Sequence, residues 1–142
     1  MNDIAHDILG NNRYSVLATV TPDGAPWAVP VRIAFDETSV YWMSKAETVH
    51  SQNIDNDGRV SIVVFDSHQT SESEGRGAVY ISGKARELTG DESTKARAFY
   101  CSRHPDRAAE RFSSWYMYSA LIGEINQTKT HGHMIYFAEA SA

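Results

Sequence analysis

From Arg13 to Leu88 the chain is a succession of strand-like stretches parted by turns, and nothing else in the sequence limits its fold as much. RYSVLATV sets Tyr14, Val16, Ala18 and Val20 against Arg13, Ser15, Leu17 and Thr19, a period of two that belongs to a strand. TPDGAP follows, with Pro22 and an Asp23-Gly24 pair, and together they predict the first half of a hairpin. PWAVPVRIAF returns with Trp27, Val29, Val31, Ile33 and Phe35 on one face. Pro30 within it marks an edge or a bulge, because proline has no N–H to give a ladder. SVYWMS is the third strand, RVSIVVFD the fourth and apolar on both faces, and AVYISGKAREL the fifth, with Gly83 inside it.

Helical spacing is confined to the gaps. Ile4, Ile8 and Leu9 predict a short helix that Gly10 closes, and ETVHSQNIDNDG predicts another between the third and fourth strands, ending near Gly58. Thr89 and Glu92 have capping-box spacing and open a helix through Ala96, Phe99 and Tyr100. Pro105 suits the first turn of a further helix through Ala108, Phe112, Trp115 and Tyr116. SALIGEI and HMIYFA are expected to close the fold as strands. Ser67 to Gly75 is rich in Ser and Glu without an apolar anchor, and is expected to be mobile and to border a site. With no internal repeat, heptad run or Pro/Ser/Gly linker, residues 1–142 are read as one domain, a mainly antiparallel small β-barrel with flanking helices.

Thirteen Lys+Arg against eighteen Asp+Glu leave a net charge of −5, which argues against an electrostatic hold on nucleic acid or an anionic membrane. The single cysteine, Cys101, has no partner for an internal disulfide, and MNDIAHDILG lacks the basic start and apolar run of a signal peptide. No stretch reaches the ~20 apolar residues of a membrane helix. The expected setting is cytoplasmic, with neither nucleic acid nor membrane as partner.

WMSKAETVHSQNI, residues 42–54, gathers hydroxyl and basic side chains where the third strand gives way to a helix. Small polar residues at such a junction serve as helix caps. The same place suits an anion, because a helix N-terminus offers free N–H groups and a favourable dipole to a phosphate. The local sequence is compatible with both.

The order of elements resembles the pyridoxamine 5'-phosphate oxidase-like, FMN-binding split-barrel superfamily, carried by RYSVLATVTPDGAPWAVPV, the segment from Val40 to Ile54, GRVSIVVF and GKAREL. The resemblance implies an antiparallel, Greek-key-like split barrel that pairs as a homodimer, with FMN in a groove between the subunits. It places Ser44 and Thr48 on the family's two hydroxyl positions at the flavin phosphate and His50 on the basic position, where the family usually has lysine. Arg32 falls near the basic position of the preceding strand and would supply charge that a neutral imidazole lacks. Val29, Pro30 and Val31 would run beside the isoalloxazine and ribityl chain, and Met43, next to Ser44, is expected among the cofactor-binding residues as well. Lys45 is left outside this set, since exposed lysines are common.

The family's true vitamin B6 phosphate oxidases carry an arginine- and tryptophan-rich C-terminal segment, which HGHMIYFAEASA does not resemble, so a different small organic substrate is expected, with electrons from a reduced nicotinamide. A non-catalytic barrel holding flavin, deazaflavin or haem for storage or sensing is the alternative. His131 and His133 would share one face of a strand, yet nothing nearby completes a metal set. His104 reads as a helix-start residue, Cys101 as a small buried group, and Trp115 to Tyr118 as core or dimer contact. Trp27 and Phe35, with the fully apolar IVVF, suit a sheet that a partner covers.

Overall fold

The computed structural model describes residues 1–69 and 77–139. Helix α1 (Asp3–Asn11) leads into β1 (Tyr14–Val20), β2 (Pro26–Phe35) and β3 (Ser39–Ser44). Helix α2 (Val49–Asn56), β4 (Arg59–Phe65), β5 (Ala78–Glu87) and α3 (Gly90–Arg103) follow, then β6 (Tyr116–Leu121), β7 (Glu124–Ile125) and β8 (Met134–Ala138). The strands run in the order β4-β1-β2-β3-β6-β5, and β4 pairs again with β5, which closes a barrel.

Strand β5 is where the barrel splits. Its first part, Ala78 to Ser82, lies between β4 and β8, whereas Ala85 to Glu87 pairs with β6. Gly83 sits at the change of partners, where a side chain would crowd the Leu121 carbonyl and Glu139. The β5–β8 pairing is parallel and every other ladder is antiparallel. On β2, the ladder to β3 starts at Ile33, so among the described residues Pro26 to Arg32 pair with β1 alone. Pro30 lies on this edge, as a residue without an N–H must.

Two apolar clusters hold the fold. Leu17, Val31, Ile33, Val40, Trp42, Ile62, Ile81 and Tyr118 fill the barrel, and Leu9 of α1 and Ile54 of α2 join them. Ala34, Met43, Leu88, Tyr100, Phe112 and Met117 form the second cluster, outside the barrel wall and beneath α3. The buried row of β1 is Ser15, Leu17 and Thr19, with Thr19 accepting from Asn53 Nδ2 of α2 at 3.0 Å. Val16, Ala18 and Val20 therefore face outward, half-buried.

Several expectations are corrected. The helix expected from Pro105 to Tyr116 is only two short 3₁₀ turns, Pro105–Ala108 and Glu110–Phe112, because Tyr116 begins β6 and ladder pairing overrides the local apolar period. SALIGEI is broken by Gly123, at φ 78°, so its first residues end β6 and Glu124–Ile125 form a separate strand. The Thr89–Glu92 capping box does not form, since Glu92 turns its carboxylate to Arg86, 2.7 Å away. Gly10 lies within α1 and does not close it. Strand β4 alternates, burying Val60, Ile62 and Val64 and leaving Val63 and Phe65 outward. The loop expected to be mobile, Ser67 to Gly75, lies from residue 70 onward outside the described residues. No helix among the described residues is long and apolar enough to cross a membrane.

Candidate functional site

Strand β3 ends at Ser44 and α2 begins at Val49, and the four residues between turn the chain back across one end of the barrel. Alternation fixes where the side chains go. Val40 and Trp42 enter the barrel cluster, so Ser44 points to the inner face, while Tyr41 and Met43 point to the outer face and the second cluster. Ser44 is buried, and its Oγ lies 2.9 Å from His50 Nε2, with Thr48 Oγ1 3.4 Å from the same nitrogen. Thr48 is also the N-cap of α2, accepting from Ser51 N–H at 3.3 Å, and its hydroxyl lies 2.8 Å from Ser51 Oγ. The cap reading and the cluster reading thus hold for the same side chain.

His50 is 8% exposed, and burial holds its pKa below the ordinary imidazole value. Burial thus favours the neutral imidazole in the free protein. Beside it, the first N–H groups of α2 lack helical acceptors, as at any helix start. An imidazole, two hydroxyls and a helix N-terminus make a donor set suited to a phosphate, provided His50 gains a proton as the anion arrives.

Of the residues singled out from the sequence, the structure brings Ser44, Thr48 and His50 together. Met43 is buried under α3 and points away from them. Arg32 shares the outer face with Ala34, so its guanidinium lies across the sheet, paired with Asp106 and with a buried Nε that has no partner among the described residues. Tyr100 donates to the Arg32 carbonyl at 2.9 Å. Val31 is buried, Val29 half-buried and Pro30 exposed. Because Ile33 N–H bonds to the carbonyl of Arg13, just before β1, the alternate residues Ala28 and Pro30 turn main-chain groups to the open edge of β2.

His131 and His133 do not share a strand face, since Gly132, at φ 54°, makes a turn between them. No group of three His, Cys, Asp or Glu that could hold a metal occurs among the described residues. His104 is buried, with Nε2 2.7 Å from the Ile33 carbonyl, and Cys101 packs half-buried against the second cluster. Missed in the sequence was a knot of cations around Trp115, formed by Lys45 and Arg107. Only a fold that sets residues 45 and 115 side by side could reveal it.

No curated protein is similar enough to count as a relative. Among solved structures, a haem-binding protein from Mycobacterium smegmatis is similar at a TM-score of 0.70 and 22% identity, over 85% of this chain and 50% of that one. The chain thus spans half the length of that protein. An FAD-binding protein from Mesorhizobium loti matches at a TM-score of 0.67 and 23% identity, over 84% of this chain and 85% of that one. An F420 reductase matches at a TM-score of 0.66 and 17% identity, over 87% and 97%. At these identities the likeness is one of fold. The family model described as pyridoxamine 5'-phosphate oxidase matches residues 1–126, so the chain belongs to the pyridoxamine 5'-phosphate oxidase family of split barrels.

Proposed function

We propose that the chain is an FMN-dependent oxidoreductase that passes electrons from a reduced nicotinamide to a small organic acceptor. The observation that carries this reading is the Ser44–Thr48–His50 cluster at the start of α2, at one end of the barrel whose β2 edge stays open. When bound, flavin supplies the redox chemistry. The chain's own part is to anchor and orient. Ser44 and Thr48 would donate hydroxyl hydrogens to the phosphate, and His50 would hold a proton on Nε2 against it. The open edge from Ala28 to Pro30 would give main-chain groups to the ring system, with the half-buried Val29 as apolar wall.

A homodimer follows from the same reading. The outer faces of β2, β1, β4 and β5 carry Pro30, Val16, Val63 and Tyr80 in register, and β8 extends the row with Tyr136, whose ring stacks on Tyr80 at 4.2 Å. Phe65 is 44% exposed beside them. A continuous apolar sheet face of this kind suits a second copy of the chain.

Non-catalytic binding of flavin, deazaflavin or haem is the second reading, favoured by the haem-binding protein and the F420 reductase of the same fold. One spectrum separates the two. Flavin absorbance in the purified protein, bleached by a reduced nicotinamide without oxygen, supports the enzyme, whereas flavin that no nicotinamide reduces supports the binding module. Absence of any affinity for flavin refutes the first reading.

A further inference from the structure

We infer that Tyr116 is a specificity-determining residue of this site: it closes the side of the bound phosphate away from the β2 edge, so that the site takes a flavin monophosphate and turns away a dinucleotide. The inference rests on the phosphate cluster proposed above. Ser44 and Tyr116 are direct partners in the β3–β6 ladder, which sets their Cβ atoms on one face about 4.5–5.5 Å apart. Alternation fixes that face. Trp115 and Met117 pack into the second cluster outside the barrel, while Tyr118 enters the barrel cluster, so Tyr116 shares the inner face with Ser44. The phenols agree with this placement. The buried Tyr118 hydroxyl, its pKa raised chiefly by burial, feels both Ser51, in the first turn of α2, and Tyr116.

The neighbouring rung shows what Ser44 leaves open. One step inward on the same face Trp42 and Tyr118 are partners, and their rings, both fully buried, stack at 6.2 Å and 10°. At the outer rung serine stands where the inner one has tryptophan, so the Tyr116 ring has no aromatic partner across the ladder and is 46% exposed. A tyrosine side chain also reaches well beyond a serine, so the phenol overtops Ser44 Oγ, the atom 2.9 Å from His50 Nε2. Strand order supplies the direction. β3 lies between β2 and β6, so the open β2 edge and Tyr116 flank Ser44 on opposite sides. A flavin whose ring system follows the β2 edge leaves the far side of its phosphate turned toward Tyr116. A monophosphate presents only terminal oxygens there, and the phenol can donate to one, which matters because the single Thr48 hydroxyl hydrogen is also drawn to the Lys45 carbonyl at 3.0 Å. A dinucleotide must run its second phosphate and nucleoside through the place that the Tyr116 ring takes.

The test titrates riboflavin, FMN and FAD calorimetrically into the full chain and into its Tyr116→Phe and Tyr116→Ala variants. Wild type should bind FMN about tenfold or more tighter than FAD. Tyr116→Phe should weaken FMN by about tenfold, the margin of one hydrogen bond to a charged group, and leave riboflavin and FAD unchanged. Tyr116→Ala should weaken FMN as much and tighten FAD, because the wall is gone. Tyr116→Phe keeps the ring, so it carries the test even where Tyr116→Ala loosens the strand end. With FMN tighter than riboflavin in wild type, any of three results overturns this inference alone: FAD as tight as FMN, FMN unmoved by Tyr116→Phe, or FAD gaining nothing from Tyr116→Ala. FMN no tighter than riboflavin in wild type overturns the phosphate cluster and this inference with it.

Discussion

Replacing His50 is the sharpest perturbation of the candidate site. In the free protein its Nε2 has, among the described residues, the hydroxyl neighbours Ser44 Oγ at 2.9 Å and Thr48 Oγ1 at 3.4 Å, and burial favours its neutral form. On the proposed reading, a bound phosphate would make the same nitrogen a charge-assisted donor worth about 1.5–3 kcal/mol. His50→Ala should therefore weaken FMN by about ten- to hundredfold and leave riboflavin, which lacks the phosphate, nearly unchanged. His50→Lys should keep or tighten FMN binding, but at a cost to the free protein. Among the described residues no carboxylate pairs with this position, which is only 8% exposed, so with an ammonium there the free variant should melt lower than wild type and regain stability as FMN is added.

The sign of the pH effect follows. The imidazole pKa lies below its ordinary value in the free protein and a bound anion would raise it, so binding on the proposed reading would take up a proton between the two values. Wild-type FMN affinity should fall as pH rises through the pKa of the complex, while the lysine variant and riboflavin stay flat. Arg32→Gln serves as the contrast, because its guanidinium is engaged by Asp106 on the other sheet face, and FMN affinity should hold within about twofold. Calorimetric titration of both flavins from about pH 6.5 to 8.5 reads all of this. If His50→Ala shifts riboflavin and FMN equally, His50 holds no phosphate and only ties Ser44 to the helix.

Burial depresses the pKa of His104 as well as His50, so the unfolded chain binds protons that the folded chain refuses; thermal melts should show stability lost as pH falls below the ordinary imidazole value of 6.5 toward the folded values. Gly123→Ala combines a positive φ of 78° with a Cβ placed 2.2 Å from the Ala138 carbonyl, and should cost on the order of 3–5 kcal/mol in denaturant titration; a loss under about 1 kcal/mol would show that the β6–β7 turn is not fixed. Phe65→Glu puts a charge on the apolar outer sheet face, and light scattering at micromolar concentration should give the mass of two chains for wild type and of one for the variant. Wild type at one-chain mass with flavin bound would remove the dimer reading.

The succession of strands, the hairpin at Asp23-Gly24 and the edge position of Pro30 were legible in the chain, because period-two alternation, turn chemistry and a missing N–H are properties of a few neighbouring residues. So was the gathering of Ser44, Thr48 and His50, which lie within seven residues and meet wherever a strand turns into a helix. Long-range pairing decided the rest. The apolar spacing from Ala108 to Tyr116 reads locally as a helix, but a full ladder to β3 captures Tyr116 to Leu121. The burial of Ser15 and Thr19 in place of Val16 and Ala18 depends on which face of β1 closes the barrel, and Asn53, thirty-four residues away, supplies the hydrogen bond that Thr19 then needs. Arg32 was expected near a phosphate from the family resemblance, yet strand alternation sends it to the opposite face from Ser44. Lys45, Arg107 and Trp115 meet for the complementary reason, that ladder register brings distant residues to one strand end, and no spacing within the sequence encodes register.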